Sequence, residues 1–378
     1  MAKNNIYNLQ FLESSENVKL VIKDMLGKEP NSEVAKGIAV CIQQGRMFFE
    51  SASNAATEIR PLLLYYGMMA FAKAIVSGRS LQNLSTLSQT HGLRDVSSQT
   101  ARLSELVVKI ECHGTFQDFN DVICKQEGID YYDENVMWHR HPIPTALSTQ
   151  LQGTQITLKE ILARIPGLED LYQATFREKA ELLAFSLYSR GTPTDSVELR
   201  IDVPDVFEDR NSLRKIVEVA REKYTTLKRW HFSSAEKAYD NSIIFFENTS
   251  PLENELASEN FIEEQVGQGL KLKTIANHPY VDFRQLLNPV SGGLTQTYPS
   301  LMTPINDVYL SDISLQYAGI FLLSSLVRYR PQIWIHSISR FSNHEKPSDD
   351  QALALIEGFM NKVQSTYPSL VTRLLTQA

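Results

Sequence analysis

RPLLLYYGMMAFAKAIVSG, residues 60–78, is the stretch on which the fold turns. From Leu62 to Val76 apolar side chains fall on almost every side of a helical wheel, with Lys73 as the one charge. A helix apolar all round must be buried on most of its faces. Pro61 suits a first helical turn, where its missing N–H has no partner to lose. Gly78 reads as the C′ stop. The apolar run 61–76 has 16 residues, short of the ~20 that a membrane span needs. The expectation is therefore a core helix, not a span. A second stretch of the same kind, ISLQYAGIFLLSSLVRY at 313–329, lies far along the chain and is capped by Ser311 or Asp312. Burying each Leu or Phe contributes ~1.5–3 kcal/mol, so packing these two helices together is a large favourable term. The expected fold class is α+β, mostly α. Residues 1–100 and 305–378 would form one discontinuous helical bundle, and residues 105–300 a mixed α/β insertion.

Working outward, Asn31-Ser32 reads as the cap of a helix over 33–53, with Ile38, Cys41, Ile42, Phe48 and Phe49 on its apolar side. RLSELVVKIECHGTFQDFNDVI, 102–123, carries strand-like runs around a His-Gly turn. Thr157-x-x-Glu160 is a capping box that opens a short helix ending near Pro166-Gly167. SVELRIDVPDVF, SIIFFEN and LKLKTIANHPYVDF read as strands, and 211–223 as an amphipathic helix. Ser348-x-x-Gln351 is a second capping box, and Tyr367-Pro368 is expected to break the last helix.

The 378 residues are 43% hydrophobic and 21% charged, which excludes disorder over most of the length and any rod or disulfide scaffold. With 37 Lys plus Arg against 44 Asp plus Glu, the net charge is −7. A nucleic-acid or anionic-lipid partner must then meet a local patch. The three cysteines, Cys41, Cys112 and Cys124, form no CxxC, and the N-terminal segment has no apolar core of a signal peptide. The expected location is the cytoplasm, with no membrane partner.

No GxxxxGK[ST], no helix-opening GxGxxG, no HExxH and no GxSxG occurs. Gly267-Gln268-Gly269 and Gly292-Gly293 read as turns. His139-Arg140-His141, after Trp138, would bind a metal only with further ligands such as Asp133 or Glu134, and with Pro142 and Pro144 following it reads as a solvated loop. No metal and no cofactor is expected. His91-Gly92, His113-Gly114 and His278-Pro279 read as turns. The segment 227–232, LKRWHF, has the mix that stacks bases, but reads better as an amphipathic surface strand. RYRPQIWIHSISR, 328–340, is the most suggestive segment. Pro331 can start a helix that brings Arg330 and His336 to one cleft. The arginine would hold a phosphate, and the histidine would exchange a proton near neutral pH. Arg328, Arg340 and Lys346 add positive charge for RNA. The alternative is a helix junction, with Arg330 capping carbonyls or pairing a carboxylate and Trp334 packed inward.

RPLLLYYGMMAFAKAI, THGL at 90–93, KIECHGTFQDF, ITLKEILARIPGLEDLY and QYAGIFLLSSLVRYRPQIW together resemble the YaaC-like family of bacterial proteins, in order and over about residues 34–334. The helical segments are similar to HEPN-type helical domains, many of them ribonucleases acting through an R-x4-6-H motif in toxin or phage-defence settings. The resemblance implies catalysis by Arg330 and His336, no metal, and a homodimer in which two motifs face each other; Pro331 stands where such nucleases carry a polar residue. Two functions follow as expectations. One is a metal-independent endoribonuclease, with Arg328 and Arg340 contacting RNA. The other is a non-catalytic binding or scaffold subunit of a bacterial defence complex.

Overall fold

The computed structural model describes residues 9–99, 101–132, 137–189, 192–237, 240–249, 261–266, 269–274, 279–294, 299–338 and 352–377. In chain order the helices are α1 (Ser15–Leu26), α2 (Ser32–Ser53), α3 (Arg60–Ser80), α4 (Thr115–Gln126), α5 (Ser148–Leu151), α6 (Leu158–Leu162), α7 (Glu169–Phe176), α8 (Arg210–Lys223), α9 (Asp312–Tyr329), α10 (Pro331–Ser337) and α11 (Ala352–Thr376). The strands are β1 (Leu93–Asp95), β2 (Val107–Ile110), β3 (Gly128–Tyr132), β4 (Trp138–Pro142), β5 (Gln155–Thr157), β6 (Leu182–Ser189), β7 (Val197–Val203), β8 (His231–Lys237), β9 (Ser242–Glu247), β10 (Phe261–Val266), β11 (Gly269–Thr274), β12 (Val290–Ser291) and β13 (Ser300–Met302). The fold is α+β and mostly α. It divides into two compact units: Met1–Lys125 with Ala146–Ala180 and Pro304–Ala378, and Gln126–Thr145 with Glu181–Thr303. The first unit thus takes in α4 to α7, which the sequence reading placed in the insertion.

In the helical unit, α3 lies against α2, α9 and α11. It is long and apolar enough to cross a membrane, yet 72% of that window is buried inside the protein. Its packing on α2 is reciprocal. A Cβ added at Gly45 of α2 would come within 2.4 Å of the Phe71 ring of α3, and one at Gly67 of α3 within 2.5 Å of the Phe49 ring of α2. Each helix therefore offers a glycine notch to the other's phenylalanine, and the rings meet with centroids 5.1 Å apart. Against α9, Tyr65 packs edge-on to Tyr317 (5.9 Å) and Phe321 (5.7 Å). Tyr317 also meets Phe116 and Phe119 of α4, at 5.8 and 5.6 Å. Two of the polar groups this buries find partners within the unit: Tyr367 donates to the Ile313 carbonyl (2.9 Å) and Ser314 to Asn120 Oδ1 (2.8 Å). A small antiparallel sheet, β1-β2-β5, completes the unit.

The second unit is built on an eight-stranded antiparallel sheet, ordered β10-β11-β8-β9-β7-β6-β13-β12, with the separate hairpin β3-β4. Alternate residues Leu199, Ile201 and Val203 of β7 and Ile244 and Phe246 of β9 join Leu213, Val217 and Ala220 of α8 in one core. Arg200 and Asp202, on the other face of β7, remain solvated and paired to each other.

Five local readings are corrected. Gly78 does not end α3; it is buried beneath Leu375 of α11, and Leu81 supplies the left-handed cap at φ 56°. Pro368 does not break α11, because buried Tyr367, Leu370, Val371 and Leu374 hold it in line despite the lost N–H. Residues 115–126 form a helix with its buried face toward Tyr317, not strand-like runs. His139 and His141 sit on strand β4, paired with β3, rather than in a loop. The 227–232 segment is also inverted in its burial: Trp230, His231 and Phe232 are in the core. Ser348, Gln351, His278, Asp133, Glu134, Arg340, Lys346 and the Gly267-Gln268 pair lie outside the described residues.

Because Phe71 fills the space a side chain at 45 would need, Gly45→Ala is expected to destabilise the protein by ~1–3 kcal/mol. Urea unfolding should show a lower midpoint with an unchanged slope. Adding Phe71→Leu should recover part of the loss, since contacting sites are not additive.

Candidate functional site

The C-terminal end of α9 and the start of α10 carry Arg328, Tyr329, Arg330, Trp334 and His336. The helix pair is broken here because Pro331 cannot supply an N–H to continue α9, while its fixed φ suits the first turn of α10. Trp334 is 1% exposed, and its indole N–H donates to the Glu58 carbonyl at 2.8 Å, which anchors α10 beside the start of α3.

Arg330 is held tightly. Its guanidinium donates to the Asp95 carboxylate of β1 and to the Ser98 carbonyl (3.1 Å). The two side chains are only 11% and 15% exposed. Asp95 also accepts from the Ser97 hydroxyl and amide and from Ser325 of α9 (3.0 Å). Burial alone would raise the Asp95 pKa. The Ser97 hydrogen bonds and the Arg330 charge outweigh it, so the carboxyl is held below its ordinary value. His336 lies with Gln332 and Ile335 on the exposed side of α10, opposite to Trp334.

Two residues before Arg330, Arg328 meets different neighbours. Its guanidinium lies 5.7 Å from the Tyr65 ring centroid and 4.9 Å from that of Tyr329. It donates to the Ser324 carbonyl (3.2 Å) on its own helix. Tyr65 is fully buried, and its hydroxyl is 2.8 Å from Nδ1 of half-buried His91. Burial pushes the Tyr65 phenol well up, against the pull of Arg328, so it stays protonated. Burial, then Arg328 and Lys73, lower the His91 pKa, so the imidazole is neutral at pH 7. With the Tyr65 O–H assigned as donor, the neutral imidazole carries its own proton on Nε2.

Of the residues singled out in the sequence, the structure therefore ties Arg330 to Asp95, leaves His336 exposed, and sets Arg328 among aromatic rings. His91 was read as a turn residue. Gly92 does turn the chain (φ 77°), but the histidine next to it also reaches Tyr65. No spacing rule could find Tyr65, His91, Asp95 and Arg328 together, since they come from three separate segments. Among the described residues no group of three His, Cys, Asp or Glu could hold a metal ion.

Removing one member of the Arg330–Asp95 pair leaves the other charge stranded. Arg330→Ala is expected to cost ~3–5 kcal/mol. The Asp95 contribution is present above its unfolded-state pKa of ~3.9 and is lost as pH falls through the lower folded-state value. The stability gap between the wild type and Asp95→Asn, followed by urea titration from pH 6 downward, should hold steady and then shrink only below about pH 4.

No curated protein and no solved structure matches this chain. The segments that meet here are the ones that carried its resemblance: LLLYYG brings Tyr65, THGL brings His91, and RYRPQIW brings Arg328, Arg330 and Trp334. The family model described as YaaC-like Protein matches residues 10–375, and the chain belongs to the YaaC-like family.

Proposed function

We propose that the chain is a non-catalytic RNA-binding subunit of a bacterial defence complex, working in the cytoplasm as a homodimer or within a larger assembly. The observation that carries this reading is the commitment of Arg330 to Asp95 and the Ser98 carbonyl. A guanidinium so engaged would have to break a buried ion pair before it could hold a phosphate. The RNA contact then falls to Arg328, whose guanidinium lies against the ring of Tyr329, a side chain 72% exposed. A cation beside an open aromatic face suits single-stranded RNA, because the ring stacks on any base and the cation meets the backbone. Such a patch answers the net charge of −7, which gives no general attraction to nucleic acid. The defence setting and the homodimer rest on the HEPN-type resemblance of the helical segments.

The test is incubation of the purified full chain with total RNA, with and without EDTA, beside filter binding of single-stranded RNA. RNA should be bound and remain intact. Tyr329→Ala should weaken binding by roughly 5- to 150-fold, the equivalent of one lost stacking contact of ~1–3 kcal/mol. EDTA-resistant cleavage that leaves 2′,3′-cyclic phosphates and disappears in His336→Ala would instead establish the endoribonuclease with Arg330 and His336 as its pair. Absence of binding at low salt would remove RNA from the account.

A further inference from the structure

The β3-β4 hairpin of the second unit keeps apolar surface in water. Tyr132 of β3 and Trp138 of β4 are cross-strand partners. Their rings meet with centroids 4.3 Å apart at an interplanar angle of 41°, and the two residues are 44% and 60% exposed. Met137, next to Trp138, is exposed as well. The ribbon that carries them is fixed from its other face, where Ile129 and Tyr131 are buried and Tyr131 packs edge-on to Phe283 at 5.2 Å. Two residues away along each strand, on the same face as the rings, Asp130 stands opposite Arg140. Arg140 donates to the Asp130 carboxylate (2.7 Å), to the Gln126 carbonyl (2.8 Å) and to the Gly293 carbonyl (3.3 Å). The ion pair is therefore held in place beside the aromatic step.

Contiguous apolar side chains left in water on a rigid ribbon point to a ligand, and the size and charge of the patch say which kind. Three side chains cover far less than the ~800 Å² per partner of a stable protein interface, so the ligand is ring-sized. Between Gly128 and Pro142 the sequence holds three acids, Asp130, Asp133 and Glu134, against one arginine, Arg140. That balance repels a polyanion, and Arg140 is already engaged, so a phosphate backbone meets no attraction here. A neutral pyranose satisfies both conditions. One face of its ring presents C–H groups, which pack on the negative face of an aromatic ring. Its hydroxyls donate as well as accept at the rim, and a carboxylate has about four acceptor sites, so Asp130 can take a hydroxyl while it still holds Arg140.

We infer that the outer face of the β3-β4 hairpin is a subsite for a neutral sugar, with Trp138 and Tyr132 as its stacking platform and Asp130 as the acceptor for a hydroxyl. The inference stands on this hairpin alone and is independent of RNA binding by the helical unit.

The chain's three tryptophans make a direct test possible. Trp230 and Trp334 are buried, so a ligand arriving at the surface is read by Trp138. Titration of the full chain with glucose, galactose and cellobiose should change its tryptophan emission and saturate in the millimolar range for at least one of them. Trp138→Ala removes the reporter as well as the platform, so affinity is also followed by isothermal titration. There Trp138→Ala should bind about tenfold more weakly or worse, the loss expected of one stacking contact. Tyr132→Ala and Asp130→Ala should each weaken binding by both readouts, whereas Tyr132→Phe, which keeps the ring, should bind as the wild type does. All are surface positions, and circular dichroism with urea midpoints would confirm that each variant is folded. No binding of any of the three sugars at tens of millimolar, or a folded Trp138→Ala protein with unchanged affinity, would overturn the inference. Emission that responds to single-stranded RNA and to no sugar would also overturn it, and would assign the platform to stacked bases.

Discussion

The burial of Tyr317 is the constraint on which the helical unit depends. Its ring is fully covered, and what covers it comes from three places in the chain: Tyr65 of α3, Phe116 and Phe119 of α4, and the body of α9 itself. Phe119 in turn stacks on Tyr367 of α11, and Tyr367 lies near Phe49 of α2. One aromatic network therefore joins every long helix of the unit except α1. Aromatic pairs of this kind favour offset and edge-on geometries, which fix relative orientation as well as supplying apolar burial. This explains why α3 and α9 can be apolar on nearly all sides without ambiguity of register. The rings and the glycine notches at Gly45 and Gly67 admit only one way of nesting.

The site inherits its geometry from that nesting. Tyr65 has its ring in the network and its hydroxyl at the edge, where it meets His91. Arg328 comes eleven residues after Tyr317 on the same helix, about three turns along, so it emerges at the end of the packed segment. A residue that organises the core thus also orients the imidazole, and no flexible loop is needed to bring the two together. Placing polar groups on rigid elements in this way reduces what binding must spend on ordering side chains.

How far the sequence could be read follows from the range of each signal. The apolar runs at 62–76 and 313–329, the Thr157 capping box and the alternation in 196–203 are local patterns, and each corresponds to the expected element. Where reading went astray, a tertiary contact had overruled a local rule. Gly78 looks like a stop until Leu375 is seen above it, and Pro368 looks like a break until its buried neighbours are counted. The 227–232 segment looks like a surface because its charges are conspicuous, whereas Trp230 and Phe232 decide its burial. The Tyr65–His91–Arg328 grouping had no local signature at all. Its members are joined only by the path of the chain, and the same holds for Asp95, the residue that engages Arg330.

Arg328 and Arg330 show how a helix junction can send two identical side chains to different partners. Arg328 still belongs to α9, so its side chain follows the helix surface back toward Ser324 and over Tyr65. Arg330 caps α10 with φ −140° and ψ 51°, outside the helical region, and this turns its side chain to Asp95. Pro331 enforces the difference, because the residue before a proline is driven away from helical torsions. The proline that departs from the nuclease pattern is thus the same residue that sends Arg330 to a carboxylate. Replacing it would be expected to change the direction of Arg330 before it changed anything else in the unit. The arginine left among the rings, rather than the one in the R-x5-H spacing, is therefore the one with no carboxylate partner among the described residues.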